Sequence, residues 1–326
     1  MSCATLFPRL LGDVGGTNAR FGWQAAPGQA LQNIRVLACA DHAGIDLAIE
    51  HYLHSEGLDR PRAACLGIAC PVTGDSVRMT NHHWAFSVQA LQQQLGLQAL
   101  RVINDFTALA LSLPDLPADS KIPVGGPLRG AEQAPVALIG PGTGLGVSGL
   151  LPSQGQWLPM AGEGGHVTLA ARTALEFETL QVLQHRFGHV SAERVLSGQG
   201  LEDLHAALRC VRGDTAPQQP LDAAGITRLA LQQGESSCLQ TLDMFAVFLG
   251  RVAGDLALTL GARGGLFIGG GIVPRLLGWF EHSGFRREFE DKGRYGVYLA
   301  EVPVWVIHTE HSPALWGAAR ALDQLH

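Results

Sequence analysis

The sequence predicts an α/β protein of two domains, each a mixed sheet with helices on its faces, and three observations predict it. The stretch LLGDVGGTNARFGW, residues 10–23, runs from an apolar strand through two glycines and back into apolar residues, the pattern of a hairpin. The stretch VALIGPGTGLGVSGLL, residues 136–151, repeats that plan without the acidic residue. Each hairpin is followed by strand-like and helix-like segments in alternation, which marks a layered α/β architecture. A purely parallel dinucleotide-binding sheet would place a helix directly after its first strand, whereas here the glycines join two strands. With 326 residues the chain is long enough for two domains. Its 46% hydrophobic and 16% charged content, with 41 glycines, fits a compact enzyme with many tight turns and excludes a disordered or fibrous chain.

In the first half, residues 10–14 form the first strand, Ala19 to Trp23 the return strand, and RVLAC at 35–39 a third. A helix over 44–56 follows, with Ile45, Ile49, Tyr52 and Leu53 on its core face. An apolar strand occupies 63–70, another lies near SVRMT at 76–80, a helix follows Ser87, and LRVI at 100–103 is a strand. Asn104 and Asp105 stand at its end, and the next helix stops near Pro114. The second half restarts at Pro135 with the second hairpin. A helix spans 174–187, where Thr173 and Glu176 form a capping box and Gly188 lies just beyond the end. The clearest helix spans 238–260, with an apolar stripe that includes Leu242, Phe245, Leu249, Val252 and Leu256, and with Ser237 and Gln240 capping its start. After GGLFIGGGIVPRLLGWF come a charged surface segment at 286–294, a strand at 302–309, and a last helix at 313–325 that is short enough to pack back onto the first domain.

Composition also closes off several classes of function. A net charge of -6 argues against a nucleic-acid surface. No apolar run reaches the length that spans a bilayer, and MSCATLFPRLL lacks a complete secretory pattern, so a cytoplasmic protein is expected. The cysteines at 3, 39, 65, 70, 210 and 238 form no CxxC unit, and buried free thiols are expected rather than a disulfide or a structural zinc.

Glycines beside Asp13 and Thr17 let backbone amides approach phosphate oxygens, because a Cβ would hold a phosphate away. Asp13 is badly placed beside phosphates unless a divalent cation intervenes, and Mg²⁺ takes oxygen ligands while keeping its waters. A β-turn with an Asp cap accounts for the same residues in isolation. GPGTGLG at 140–146 is a second candidate phosphate cradle, and Gly269, Gly270 and Gly271 after an apolar strand form a third, which a close-packed strand-to-helix turn explains equally well. None is a P-loop, because the GxxxxGK[ST] lysine is missing.

Asn104 and Asp105 end a buried strand, where polar side chains emerge on the ligand side of an open α/β sheet. Asp105 reads either as a helix N-cap or as a carboxylate that takes a proton from a substrate hydroxyl, an exposed base of pKa about 4. Asn104 would both donate and accept hydrogen bonds beside it. AGEGGHVTLA supplies Glu163 and His166, and GHVSAERVLSG supplies Glu193. Singly these are capping or surface residues. Taken with Asn104 and Asp105 they suit a polyhydroxyl ligand, because carboxylates and amides pair with hydroxyls and reject analogues that lack one. The spacing of Glu163 and His166 is not that of HExxH, which argues against a metal there.

The combination GDVGGTNAR, CPVTGD, MTNHHWAFS, INDF, GTGLG, GEGGHV, GHVSAERVLSG, FIGGGIVPR and SGFRREFEDKGR covers almost the whole chain. With it the sequence resembles the bacterial glucokinase family of the hexokinase, actin and sugar-kinase superfamily. The resemblance implies an actin-like ATPase (ribonuclease H-like) fold of two related α/β domains. The small domain would be 1–113 completed by the C-terminal helix at 312–326, the large domain 114–311, and a cleft between them would bind ATP and D-glucose. It implies phosphoryl transfer from ATP to the C6 hydroxyl of glucose, with Asp105 as catalytic base and Asn104, Asp105, Glu163, His166 and Glu193 as glucose contacts. It assigns Gly12, Asp13, Gly15, Gly16, Thr17 and Asn18, together with Gly142, Thr143 and Gly144, to the ATP phosphates and Mg²⁺, the cation held by Asp13 through water. Gly269, Gly270 and Gly271 fall in the nucleotide-binding region. The chain lacks the cysteine-rich zinc motif of the other bacterial glucokinase group, and dimeric family members lead to the expectation of a homodimer. The rivals are a kinase for mannose or fructose, a sugar-responsive regulator that has lost catalysis, and an actin-like filament protein. Retention of both Asp13 and Asp105 speaks against the regulator, and the sugar-contact set against the filament.

Overall fold

The hairpin at residues 10–23 becomes the centre of a five-stranded sheet in the computed structural model, which describes residues 6–214, 220–309 and 312–325. The chain divides into two units, Met1–Pro117 with Trp157–Ala161 and Thr309–His326, and Ala118–Gln156 with Gly162–His308. In the first unit, β1 (Arg9–Val14), β2 (Asn18–Gln24), β3 (Gln32–Ala38) and β4 (Ala63–Ile68) precede a small hairpin of β5 (Ser76–Arg78) and β6 (Ala85–Ser87), and β7 (Ala99–Asn104) completes the main sheet. The sheet order is β3-β2-β1-β4-β7, antiparallel from β1 outward to β3 and parallel across β1, β4 and β7. The third strand begins three residues earlier than the sequence suggests and stops before Cys39. It is a largely exposed edge strand, so it carries little of the apolar alternation that would locate it.

Leu10, Val14, Phe21, Ile49, Tyr52, Leu66 and Trp84 fill one face of this sheet. Near the other lie the helices Asp105–Ser112 and Ala314–Asp323, packed so closely that a Cβ on Gly317 would collide with the Ala108 carbonyl oxygen. The last helix thus packs onto the first domain's helix. Arg9, fully buried in β1, anchors it by an ion pair to Asp323 at 2.6 Å, and Arg101 donates to the Ala321 carbonyl at 2.7 Å.

The second unit holds β8 (Lys121–Pro123), β9 (Val136–Pro141), β10 (Leu145–Ser153), β12 (Gly265–Ile268) and β13 (Val304–Ile307), in sheet order β10-β9-β12-β13-β8, while β11 (Gln156–Ala161) falls from Trp157 onward in the first unit. A hairpin, β9 with β10, again leads into parallel partners, β12 and β13. The two sheets therefore repeat one topology, which with the flanking helices is the mixed α/β fold expected. The capping box of Thr173 and Glu176 is present at the head of the helix Ala174–Phe187, and Gly188 beyond its end has φ +74.

Two local expectations are corrected. The long helix is Ser236–Leu260, capped by Glu235, whose carboxylate accepts from the Cys238 amide at 2.7 Å. Ser237 already lies inside the first turn and donates to Glu235 at 2.8 Å. The charged segment at 286–294 is not a plain surface stretch. Phe285 and Phe289 are buried, and Arg286 donates to the carbonyls of Leu299, Ala300 and Val302. Within the long helix, Arg251 is 6% exposed and pairs with Glu176 and Glu288, each at 2.9 Å. Cys39, Cys65, Cys70 and Cys238 are buried free thiols, Cys210 is exposed, and Cys3 lies outside the described residues. No helix among the described residues is long and apolar enough to cross a membrane.

Candidate functional site

The first unit gathers its polar residues at the carboxyl ends of three parallel strands. Register sets Asp13 of β1 level with Gly67 of β4 and Ile103 of β7, and Val14 level with Ile68 and Asn104. Asp13 and Asp105 therefore emerge at the same edge, separated by the central strand. Gly67 keeps that strand low: a Cβ there would lie 3.0 Å from the Ala108 Cβ and 3.6 Å from the Asp105 Cα.

Asn104, not Asp105, is the cap of the helix Asp105–Ser112. Its Oδ1 accepts from the amides of Phe106 at 2.9 Å and Thr107 at 3.2 Å. With the carbonyl oxygen so engaged and Nδ2 donating to the Cys70 carbonyl at 3.5 Å, Asn104 has one further amide N–H to offer a ligand, which narrows the donor-and-acceptor role expected of it. Asp105 is the first helical residue, and its Oδ1 accepts from the Phe106 amide at 2.9 Å. The exposed carboxylate of pKa about 4 expected there is corrected too. Asp105 is partly buried, and burial, followed by the negative charge of Asp13, raises its pKa from 3.8 to about 6 against the hydrogen bonds that favour the anion.

The turn from β1 to β2 is closed by the Gly15 amide on the Asn18 carbonyl at 2.9 Å, with Thr17 and Asn18 exposed. At Gly16 a Cβ would come within 3.0 Å of Asn81, so the turn lies against the NHHW segment. Gly12 faces inward: a Cβ there would meet the Leu66 Cδ2 at 2.6 Å. Arg20 sits directly opposite Asp13 in the hairpin and donates from Nη1 to Oδ2 at 3.0 Å. The motif GDVGGTNAR contains Arg20 without marking its role, although counting outward from the turn pairs the two charges.

The second unit gathers Glu163, His166, Glu193, the turn Gly142–Gly144 and the glycines 269–271. Glu163 precedes a short 3₁₀ turn, Gly164–His166, and His166 ends it, both exposed. Its two glycines seat the turn on β10: a Cβ on Gly164 would reach Val147 Cγ1 at 2.7 Å, and one on Gly165 would collide with the Leu145 carbonyl oxygen. Glu193 lies in the short helix Ala192–Val195, 35% exposed, with Oε1 3.9 Å from His166 Nδ1. Gly270, at φ +76, presses on the Pro141 carbonyl, and the amide of Gly271 lies 3.8 Å from where a Cβ on Gly142 would stand. The structure thus brings the two glycine clusters of this unit together. No group of three or more metal-ligating side chains occurs among the described residues.

A family model described as Glucokinase matches residues 10–325. A protein named glucokinase from Aromatoleum aromaticum is 55% identical over 322 residues, which span 98% of this chain and 96% of the relative. The crystal structure of a glucokinase from an Antarctic psychrotroph matches with TM-score 0.87 and 38% identity over 97% of this chain and 98% of the other. A ROK-family glucokinase from Streptomyces griseus, solved in complex with glucose and AMPPNP, shares the fold at TM-score 0.62 and 20% identity over 97% and 99% of the two chains.

Proposed function

We proceed from the fact that the chain belongs to the glucokinase family, and we infer that it transfers the terminal phosphoryl group of ATP to the C6 hydroxyl of D-glucose, giving glucose 6-phosphate and ADP. The observation that carries the mechanism is the Asp105 carboxyl at the end of β7, its pKa raised to about 6 by burial and by Asp13. Such a group is ionised near neutral pH yet binds a proton more tightly than an ordinary carboxylate, which suits a general base. Asp105 takes the proton of the C6 hydroxyl as that oxygen bonds to the terminal phosphorus, the bond from phosphorus to the bridging oxygen breaks, and ADP leaves without a phosphoenzyme.

Asn104 donates to a neighbouring sugar hydroxyl, while Glu163, His166 and Glu193 bind the others. Gly15, Gly16, Thr17 and Asn18 receive phosphate oxygens in the first unit. Gly142, Thr143 and Gly144 do so in the second, with Gly269 to Gly271 along the nucleotide. Gly12 supports the first turn from inside its strand. The donor set suits a hydrated Mg²⁺: Arg20 occupies Oδ2 of Asp13, leaving Oδ1 for the cation's water, and a single carboxylate suffices where substrate phosphates supply further ligands. When bound there, Mg²⁺ offsets charge on the phosphates. The reading extends to a cytoplasmic homodimer that commits glucose to glycolysis. Phosphorus NMR of the product tests the central reaction. A glucose 6-phosphate signal that requires both ATP and glucose supports it, and turnover confined to mannose or fructose in the same assay overturns the assignment of substrate.

A further inference from the structure

We propose that Gly144 and Leu145 are positioning residues for Glu193, so that the second glycine-rich turn shapes sugar recognition as well as phosphate binding. The inference rests on the reading that Glu193 contacts glucose. The Leu145 amide donates to Glu193 Oε2 at 2.8 Å. The same carboxylate fills the space beside Gly144, where a Cβ would stand 2.5 Å from Oε2 and 3.3 Å from Cδ. Gly144 is not among the positive-φ glycines, so backbone freedom is not what requires glycine there. The approach of the carboxylate is.

The connection is made at more than one point. Ser191 caps the short helix that bears Glu193, and the Ala192 amide donates to the Val167 carbonyl at 2.8 Å. Five residues beyond Glu193, the Gly198 amide donates to the Gly142 carbonyl at 2.9 Å, and the turn closes on itself through the Gly142 amide and the Gly144 carbonyl at 2.8 Å. The carbonyl of Leu145 faces Gly165, where no Cβ fits. One backbone unit therefore holds Glu193 with its N–H and seats the Glu163–His166 turn with its C=O. With Oε2 committed to the Leu145 amide, Oε1 is the oxygen that faces His166 and a sugar hydroxyl. A carboxylate fixed before the ligand arrives loses less freedom on binding, so the turn contributes to affinity through preorganisation.

The test is Gly144→Ala, read by calorimetric titration with glucose in the absence of nucleotide. The added methyl displaces the Glu193 carboxylate, and the glucose Kd rises about tenfold, the scale of one lost charge-assisted hydrogen bond. In a Glu193→Ala background the same substitution adds no further loss of glucose affinity, because it acts through the missing carboxylate. An unchanged glucose Kd, or an equal loss in both backgrounds, overturns the proposal.

A second readout is independent of how Gly144→Ala folds. In the intact protein labelled with ¹⁵N-leucine, Glu193→Gln moves the Leu145 amide proton signal upfield, as a charge-assisted hydrogen bond becomes a neutral one. An unmoved signal removes the contact on which the proposal stands. If the unaltered protein binds no glucose, the functional reading itself fails, and the NMR signature still reports separately on the contact.

Discussion

Replacing the proposed base should make the empty protein more stable. Asp105 has a folded pKa of about 6 against an ordinary 3.8, raised first by burial and then by Asp13. A carboxyl whose pKa is raised by folding favours the native state fully only below its unfolded pKa, and that advantage is lost as pH rises through the folded value. The rise from 3.8 to about 6 corresponds to about 3 kcal/mol against folding once both states are ionised, since each tenfold change in proton affinity is worth about 1.36 kcal/mol. Asp105→Asn removes the charge and keeps an oxygen for the Phe106 amide. The variant should therefore gain up to about 3 kcal/mol near pH 7.5, and only about half of that near pH 5, where the folded carboxyl is already protonated. Thermal denaturation without nucleotide, sugar or Mg²⁺ reads the difference, and the expected shift is several degrees upward at pH 7.5. A variant that is no more stable than its parent at pH 7.5, or a gain that does not shrink toward pH 5, refutes the electrostatic account of Asp105.

The same carboxyl sets an acid limb in kcat/KM: activity falls as pH drops through about 6, because protonated Asp105 cannot accept the hydroxyl proton. Asp13→Asn should move that limb to lower pH, since the Asp13 charge raises the Asp105 pKa. A limb that stays in place would show the two groups to be uncoupled. Arg251→Leu should cost about 3–5 kcal/mol in denaturant titration, because it takes from the buried Glu176 its charged partner and leaves that carboxylate only the amides of Arg172 and Thr173. Gly317→Ala should destabilise by about 1–3 kcal/mol or more, as its methyl pushes the C-terminal helix away from the Ala108 carbonyl. A thermal scan matching that of the parent would contradict the packing described for that helix.

Local signals carried the frame of the fold. Two glycine turns between apolar runs marked both hairpins, and Thr173 with Glu176 marked a helix start that the structure keeps. Where local chemistry offered two donors or two caps, it misled. Ser237 looked like the cap of the long helix, but the helix starts earlier, on Glu235, because a glutamate can reach round to the Cys238 amide. At the end of β7 the sequence offered Asn104 and Asp105 side by side, and only the strand's end point decides that Asn104 is the cap and Asp105 the first helical residue. The exposed β3 lacked the alternation that buried strands show.

Contacts between distant residues were out of reach of periodicity. Arg9 and Asp323 are 314 positions apart, and nothing near either announces the other. The same holds for Glu193 and the turn at Gly144, where the sequence offers a candidate phosphate cradle and nothing in it announces the carboxylate beside the glycine. Arg20 is the exception that could have been read, since the hairpin pairs it with Asp13 by simple counting. The raised pKa of Asp105 depends on burial and on a charge two strands away in the sheet. Neither is a property of the motif INDF.

The most direct test of the account is ADP release from ATP and Mg²⁺, with and without glucose, by the unaltered protein and by Asp105→Asn. The account predicts release that depends on glucose and falls at least about a hundredfold in the variant, the lower range for removal of a general base, while calorimetry still finds glucose bound. Comparable turnover in the two proteins would contradict it.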